Sequence, residues 1–252
     1  MNSSRIPRLY RSLETIALAG IRSLLKPSWT RDFLAHVYTY RPFDYSPRIR
    51  RATLPEILPA VGKIPVTLRK CFPRHGNMTG EEIITICLLV QWIRPRGIFE
   101  FGTFNGNTTL QMALNAPEDC KIATLNLPLD HSETRLESSM QDKLVHPSQA
   151  GSGDVFRGEP EAARIQELFG DSATFDYSPF KEGFDFVLVD AGHEYDYVKS
   201  DTKKALELMP ASGGVVVWHD FPNAPGVCQW LEEFSEKKRS TTYPTPGSRS
   251  RS

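Results

Sequence analysis

The sequence has no net charge, its 30 Lys and Arg balancing 30 Asp and Glu. That removes any global argument for a nucleic-acid partner, because phosphates select a basic surface. Cysteine is scarce as well. Cys71, Cys87, Cys120 and Cys228 lie too far apart for metal-ligand spacing, and four in 252 residues make no disulfide framework. Cys87 and Cys120 sit in apolar stretches, which predicts buried thiols, a reducing compartment and a cytoplasmic location. No apolar run reaches the roughly 18 residues that a transmembrane helix needs. No internal repeat is visible. A composition 40% hydrophobic and 24% charged excludes wholesale disorder, a collagen repeat and a coiled coil.

The balanced charge is unevenly spread. Residues 1–75 hold 14 basic and 4 acidic side chains, a net of +10, which leaves −10 for residues 76–252. Either the basic front packs on the acidic body or the two parts have different jobs. Within the front, Leu9, Leu13, Ile16, Ala17, Ile21, Leu24 and Leu25 recur at spacings of three and four, which predicts an amphipathic helix. Its apolar stretch is too short for a secretory signal. An Arg-rich, acid-poor helix fits a transit peptide, weak contact with a membrane surface, or a lid packed on the body. The lid is the preferred reading. Seven prolines between Pro27 and Pro73 leave room only for short helices, near 30–39 and 54–61. Tyr38, Tyr40, Phe43 and Tyr45 alternate there as packing residues or the lining of an acceptor pocket.

From Thr79 the pattern changes. Thr79-Gly-Glu-Glu82 is a capping box that opens a helix ending near Arg94, before Pro95. Strands are expected at 97–102, 121–127, 164–170, 184–190 and 213–220, and helices at 108–116, 195–209 and 226–238. Residues 128–160 read as a long polar loop. FDFVLVD and GVVVW are nearly continuous apolar runs, as parallel strands covered on both faces require. The alternation predicts an α/β, doubly wound, mostly parallel sheet.

Chemistry is expected beyond the carboxyl ends of such strands. Glu100-Phe-Gly-Thr-Phe-Asn-Gly106 is a glycine loop that opens a helix, whose first amides can face an anionic group. Its glycine spacing is not that of a dinucleotide fingerprint, and no Lys-Ser/Thr follows as in a phosphate loop. Asp190 with His193, and His219 with Asp220, close the fourth and fifth strands. Adjacent strands lie about 4.8 Å apart, so these groups can converge on one pocket. Asp190, His219 and Asp220 are therefore candidate ligands of a divalent metal, all-oxygen ligation favouring Mg and a histidine favouring Mn, Fe or Zn. Acids at such strand ends, with a histidine shortly after the first, resemble metal-dependent sugar and catechol methyltransferases, which implies His193 as candidate general base beside Asp190, an imidazole titrating near neutrality. His193 merely orienting Asp190, and His219 merely capping a strand, stay open. His36, His75, His131 and His146 fall in loops without partners.

Glu100-Phe-Gly-Thr-Phe-Asn-Gly-Asn-Thr-Thr109, Thr124-Leu-Asn-Leu-Pro128, Gly170-Asp-Ser172, Asp190-Ala-Gly-His-Glu-Tyr195 and Trp218-His-Asp220 occur in that order. Together they resemble class I S-adenosylmethionine-dependent methyltransferases, of the bacterial branch with these motifs, over about residues 79–235. The resemblance implies a Rossmann-like fold, S-adenosyl-L-methionine as cofactor, and methyl transfer to a hydroxyl of a small molecule such as a sugar or secondary metabolite. It implies that Gly102, Thr103, Phe104, Asn105 and Gly106 cradle the methionine moiety. Glu100 would support that loop or the ligand's amino group. Asn126, where an acid is usual, would meet the ribose hydroxyls. Asp171 and Ser172 would lie near the adenine, with Asp176 as a second candidate.

A full sheet of that fold has seven strands. After Arg239 only STTYPTPGSRSRS follows, a polar sequence without apolar alternation. Five strands are therefore expected, with the sixth and seventh missing and the fifth left as an edge that invites association between copies. The expected divisions are a basic cap over 1–78, a methyltransferase domain over 79–239 and a disordered tail over 240–252. Two other functions stay open: an inactive remnant that acts as a binding or scaffold protein, and an NAD-dependent enzyme. The glycine spacing and the absence of an acid at the second strand's end disfavour the latter.

Overall fold

The computed structural model describes residues 48–50, 52–71, 76–128, 134–138 and 151–242, with side chains up to 237. The expected N-terminal helix, the helix near 30–39 and the aromatics at 38–45 lie outside the described residues.

Five parallel strands form the sheet: β1 (Gly97–Phe101), β2 (Lys121–Asn126), β3 (Ile165–Phe169), β4 (Phe186–Val189) and β5 (Val215–Trp218). Their spatial order is β3-β2-β1-β4-β5, so the chain reverses direction across the sheet between β1 and β4. The helices are α1 (Leu54–Ile57), α2 (Gly80–Ile93), α3 (Asn107–Asn115), α4 (Tyr195–Leu208) and α5 (Pro225–Thr242). This is the expected doubly wound, Rossmann-like arrangement. Among the described residues no strand follows β5.

Both faces of the sheet are covered, which explains the continuous apolar runs. On one face Ile98, Ile122, Phe186 and Leu188 pack with Ile83, Ile86, Cys87 and Val90 of α2 and Met112 of α3. On the other, Phe99, Phe101, Leu125, Val187 and Val189 pack with Ala205 and Leu208 of α4. Val198 of α4 joins Val227, Trp230 and Leu231 of α5 in a third cluster. Cys87 and Cys120 are buried thiols as expected, and Cys228 is buried too. Along the α2 face, strand residues turn polar toward the carboxyl end. Ile98 gives way to Glu100, Ile122 to Thr124 and Asn126, and Ile165 to Glu167.

The capping box forms as read. Thr79 Oγ1 accepts from Glu82 N, and Glu82 Oε2 accepts from Thr79 N at 2.7 Å. Arg94 ends α2 in the left-handed region, just before Pro95. Two boundaries differ from expectation. Residues 160–164 form a 3-10 turn before β3. Helix α5 runs on to Thr242, because nothing from Lys237 to Thr242 breaks a helix and the first proline is Pro244.

Residues 64–71 drape over α3 as an extended segment. Asn115 accepts from Thr67 N and donates to Thr67 O, at 2.9 and 2.8 Å. One turn earlier, Gln111 makes the same pair with Arg69 N and O, at 3.1 and 2.8 Å. Two side-chain amides thus imitate a strand edge. Arg69 and Lys70 pair with Glu159, and Arg48 pairs with Glu232. These pairs tie basic residues of the described segment 48–71 to acidic residues further along the chain. Replacing Asn115 with Ala removes both bonds to Thr67, and should lower stability by about 1–2 kcal/mol as read by the urea midpoint.

Candidate active site

The glycine loop begins where β1 ends. Gly102 has φ +96°, and a Cβ there would stand 2.0 Å from the Asp190 carbonyl oxygen. The tip of β1 therefore touches the tip of β4 at the point where strand order reverses. Gly106, at φ +80°, precedes the first residue of α3, and a Cβ on it would run into the Phe156 ring. Asn105 Oδ1 accepts from Asn107 N at 3.0 Å and holds the turn into α3. Thr103 and Phe104 lie between them, Thr103 buried and Phe104 half-buried.

Glu100 lies beneath this loop. Its Oε2 accepts from Thr109 Oγ1 at 2.5 Å and from Thr124 Oγ1 at 2.6 Å. Thr124 is also 2.7 Å from Thr103 Oγ1. These contacts tie β1, β2, the loop and α3 together. Burial pushes the Glu100 carboxyl up to about 8, against the two hydroxyls and with help from the Asp190 charge.

Asn126 closes β2 and donates from Nδ2 to Ser152 Oγ at 3.0 Å. Asp171 is the anchor of a turn: its carboxylate accepts from Ala173 N, Arg135 N and the Tyr197 hydroxyl. Ser172 follows, its carbonyl accepting from the Tyr177 hydroxyl. Asp176 is turned to its own chain, accepting from Ser178 N, and does not join this group.

Across β1, the acids and histidines gather. Asp190, His193 and Asp220 offer one ligand atom each, all within 4.8 Å of one another. His193 Nε2 lies 2.6 Å from Asp220 Oδ2. His219 points between the two acids, with Nδ1 3.0 Å from Asp190 Oδ1 and 3.1 Å from Asp220 Oδ2. Its Nε2 is 3.4 Å from Glu82 Oε1. These are ion-pair separations rather than aligned hydrogen bonds. Burial opposes charge on His219, but the Asp190 carboxylate and the contacts with Asp220 and Glu82 outweigh it, so the imidazolium is favoured. The His219 contact holds Glu82 down to about 2. Burial also opposes ionisation of Asp220, yet His193 and then His219 hold its carboxyl below the usual range. Of the three metal candidates read from strand ends, Asp190 and Asp220 fall in the ligand cluster. His193 is its third member, while His219 is committed to carboxylates.

Four side chains escaped the reading by strand ends. Glu82 was seen only as a helix cap. Asp201 is wholly buried on α4 with neither oxygen in line with a donor, and burial pushes it up to about 7. Its spacing after Tyr197 and Val198 marks the buried helix face and could have revealed it. Ser152 accepts from Asn126 and donates to Glu167, across long sequence separations that no local pattern encodes.

The raised Glu100 carboxyl has a signed consequence. The fold keeps a proton that the unfolded chain releases near 4.5, the group's ordinary value. This contribution to stability is complete below that value and is lost as pH rises toward 8. The urea midpoint of the wild type should therefore fall between about pH 5 and 8, and Glu100→Gln should flatten that part of the slope.

No curated protein matches this chain. Solved structures with a similar arrangement include an SAH-bound methyltransferase from Podospora anserina, at 17% identity and TM-score 0.47, covering 85% of this chain and 87% of that one. An O-methyltransferase from Bacillus cereus in complex with SAH is 20% identical at TM-score 0.42, covering 83% and 84%. The O-methyltransferase TomG from Streptomyces achromogenes, in complex with SAM, is 20% identical at TM-score 0.42, covering 75% and 79%. Residues 99–221 match the family model described as a methyltransferase domain, a span that runs from β1 past β5 and contains every candidate residue from Glu100 to Asp220.

Proposed function

We propose that this chain is an S-adenosylmethionine-dependent methyltransferase that methylates a hydroxyl of a small molecule, a sugar or secondary metabolite. One observation carries the reading. A glycine loop and an acid–histidine cluster open side by side at the point where strand order reverses, within the span that matches a methyltransferase domain. No helix among the described residues is long and apolar enough to cross a membrane. The four free thiols support placing the reaction in the cytoplasm.

In this reading the loop from Gly102 to Gly106 holds the methionine end of the cofactor, with Glu100 as its support. Asn126 meets the ribose, and the Asp171–Ser172 turn meets the adenine. The acceptor lies toward β4 and β5. Asp220 holds His193 as the Nε2–H tautomer, which makes Nδ1 the nitrogen that accepts a proton. The acceptor hydroxyl passes its proton to His193 as its oxygen attacks the methyl carbon. When bound, S-adenosylmethionine would supply the methyl group, its sulfur keeping the electron pair of the carbon–sulfur bond. The products are a methyl ether, S-adenosylhomocysteine and a protonated imidazole. Proximity and alignment supply much of the rate.

Asp190, His193 and Asp220 also form a nitrogen and oxygen donor set that suits Mn, Fe or Zn. Such an ion would lower the pKa of a coordinated hydroxyl. Ligand and base are exclusive roles for His193, and its short contact with Asp220 favours the base. His193→Ala should then lower kcat by about 10²–10⁴-fold with little change in KM for S-adenosylmethionine. Activity on a panel of hydroxylated acceptors should survive EDTA. Loss in EDTA with recovery on added Mn²⁺ would instead make His193 a ligand.

A further inference from the structure

Asn126 is held by a chain of hydrogen bonds that leaves it one orientation. Its Nδ2 is 3.0 Å from Ser152 Oγ, and Ser152 Oγ is 2.8 Å from Glu167 Oε1. Glu167 is paired through Oε2 with Arg157 Nη2 at 2.8 Å. A carboxylate accepts hydrogen bonds and does not donate them. The single Ser152 proton therefore goes to Glu167, and Ser152 can only accept from Asn126. Asn126 must turn its NH₂ toward Ser152 and its carbonyl oxygen the other way. The side-chain hydrogen bond of Asn126 among the described residues runs through Nδ2, to Ser152.

The geometry places the parts of this relay together. Thr124 pairs with Glu167 and Asn126 with Phe169 in the β2–β3 register, so Glu167 and Asn126 share the face that turns polar at its carboxyl end. Ser152 comes from the turn at 151–158. That turn is pinned to the glycine loop by Val155 N donating to Asn105 O at 3.0 Å, and by Phe156 against Gly106. The relay thus connects the end of β2 to the loop that opens α3.

We propose that Glu167, acting through Ser152, is a positioning residue that fixes the Asn126 carboxamide so that its oxygen accepts from a ribose hydroxyl of the cofactor. The inference rests on the S-adenosylmethionine reading above. It makes asparagine the fitting residue at this strand end. An aspartate at 126 would set a second carboxylate against a hydroxyl whose proton is already given to Glu167. Two acceptors would compete for one donor. Converting Glu167 to Gln supplies a new donor to Ser152, whose proton can then turn to Asp at 126.

The test is a double-mutant cycle on the full chain with Asn126→Asp, Glu167→Gln and both together, plus Ser152→Ala. The probes are S-adenosylhomocysteine and its analogue lacking both ribose hydroxyls, titrated calorimetrically. Asn126→Asp should weaken S-adenosylhomocysteine by about tenfold, the scale of one lost charge-sensitive hydrogen bond. Adding Glu167→Gln should recover most of that loss. Ser152→Ala should shrink the affinity ratio between the two probes, which damage to the fold alone would not do. Without ligand, Asn126→Asp should lower Tm by about 3 °C and the double variant should regain it. Tighter binding in Asn126→Asp, or no recovery in the double variant, would overturn the relay while leaving the cofactor reading intact. Wild-type protein that ignores S-adenosylhomocysteine, with the Tm cycle as expected, would keep the relay as a structural device and overturn both the cofactor reading and the ribose role.

Discussion

Three backbone hydrogen bonds keep the carboxyl edge of the sheet in step. Gly102 N donates to Leu125 O, Asp190 N to Phe101 O, and His219 N to Val189 O. A slip of one residue in any strand would exchange its two faces. It would carry Phe99 and Phe101 out of the aromatic side of the core and Ile98 out of the other. Packing therefore holds the register, and the register brings Gly102, Asn126, Asp190 and His219 to one level. Gly102 has no room for a side chain because the Asp190 carbonyl already stands there. The two halves of the candidate site are joined through backbone, not through mobile side chains.

That rigid edge carries two different electrical environments. On the β1–β2 side, Glu100 is buried under hydroxyls and is pushed toward the protonated form at neutral pH. On the β4–β5 side, the Asp190 and Asp220 carboxylates are bridged by an imidazolium on His219, which Glu82 also faces. Glu82 reaches that position because the same carboxylate caps α2, so one residue sets both the start of a helix and the charge of the site. A cationic sulfonium suits such an anionic border, and so does the imidazolium that forms when His193 takes a proton. The His193–Asp220 pair adds a group that can take the proton.

Much of this was legible in the residues. Continuous apolar runs such as FVLV and VVVW marked buried parallel strands, and the Thr79–Glu82 box marked the start of α2. Asp190, His193, His219 and Asp220 could be expected to converge because strand ends in a parallel sheet are neighbours. Which nitrogen faces which carboxylate could not be read, since that depends on side-chain rotation. The Asn126–Ser152–Glu167 chain was also hidden. Its members lie 26 and 15 residues apart, and Ser152 sits in a stretch that reads only as polar loop. Asn126 stands where the resemblance has an acid, and the fold places Glu167 one hydroxyl away from it.

The account turns on whether this sheet edge binds the methyl donor. Isothermal titration of the full chain with S-adenosylmethionine tests that most directly. The account predicts saturable binding at one site per chain, with S-adenosylhomocysteine competing for the same site. Absence of heat with millimolar S-adenosylmethionine, or binding that S-adenosylhomocysteine does not displace, would contradict it.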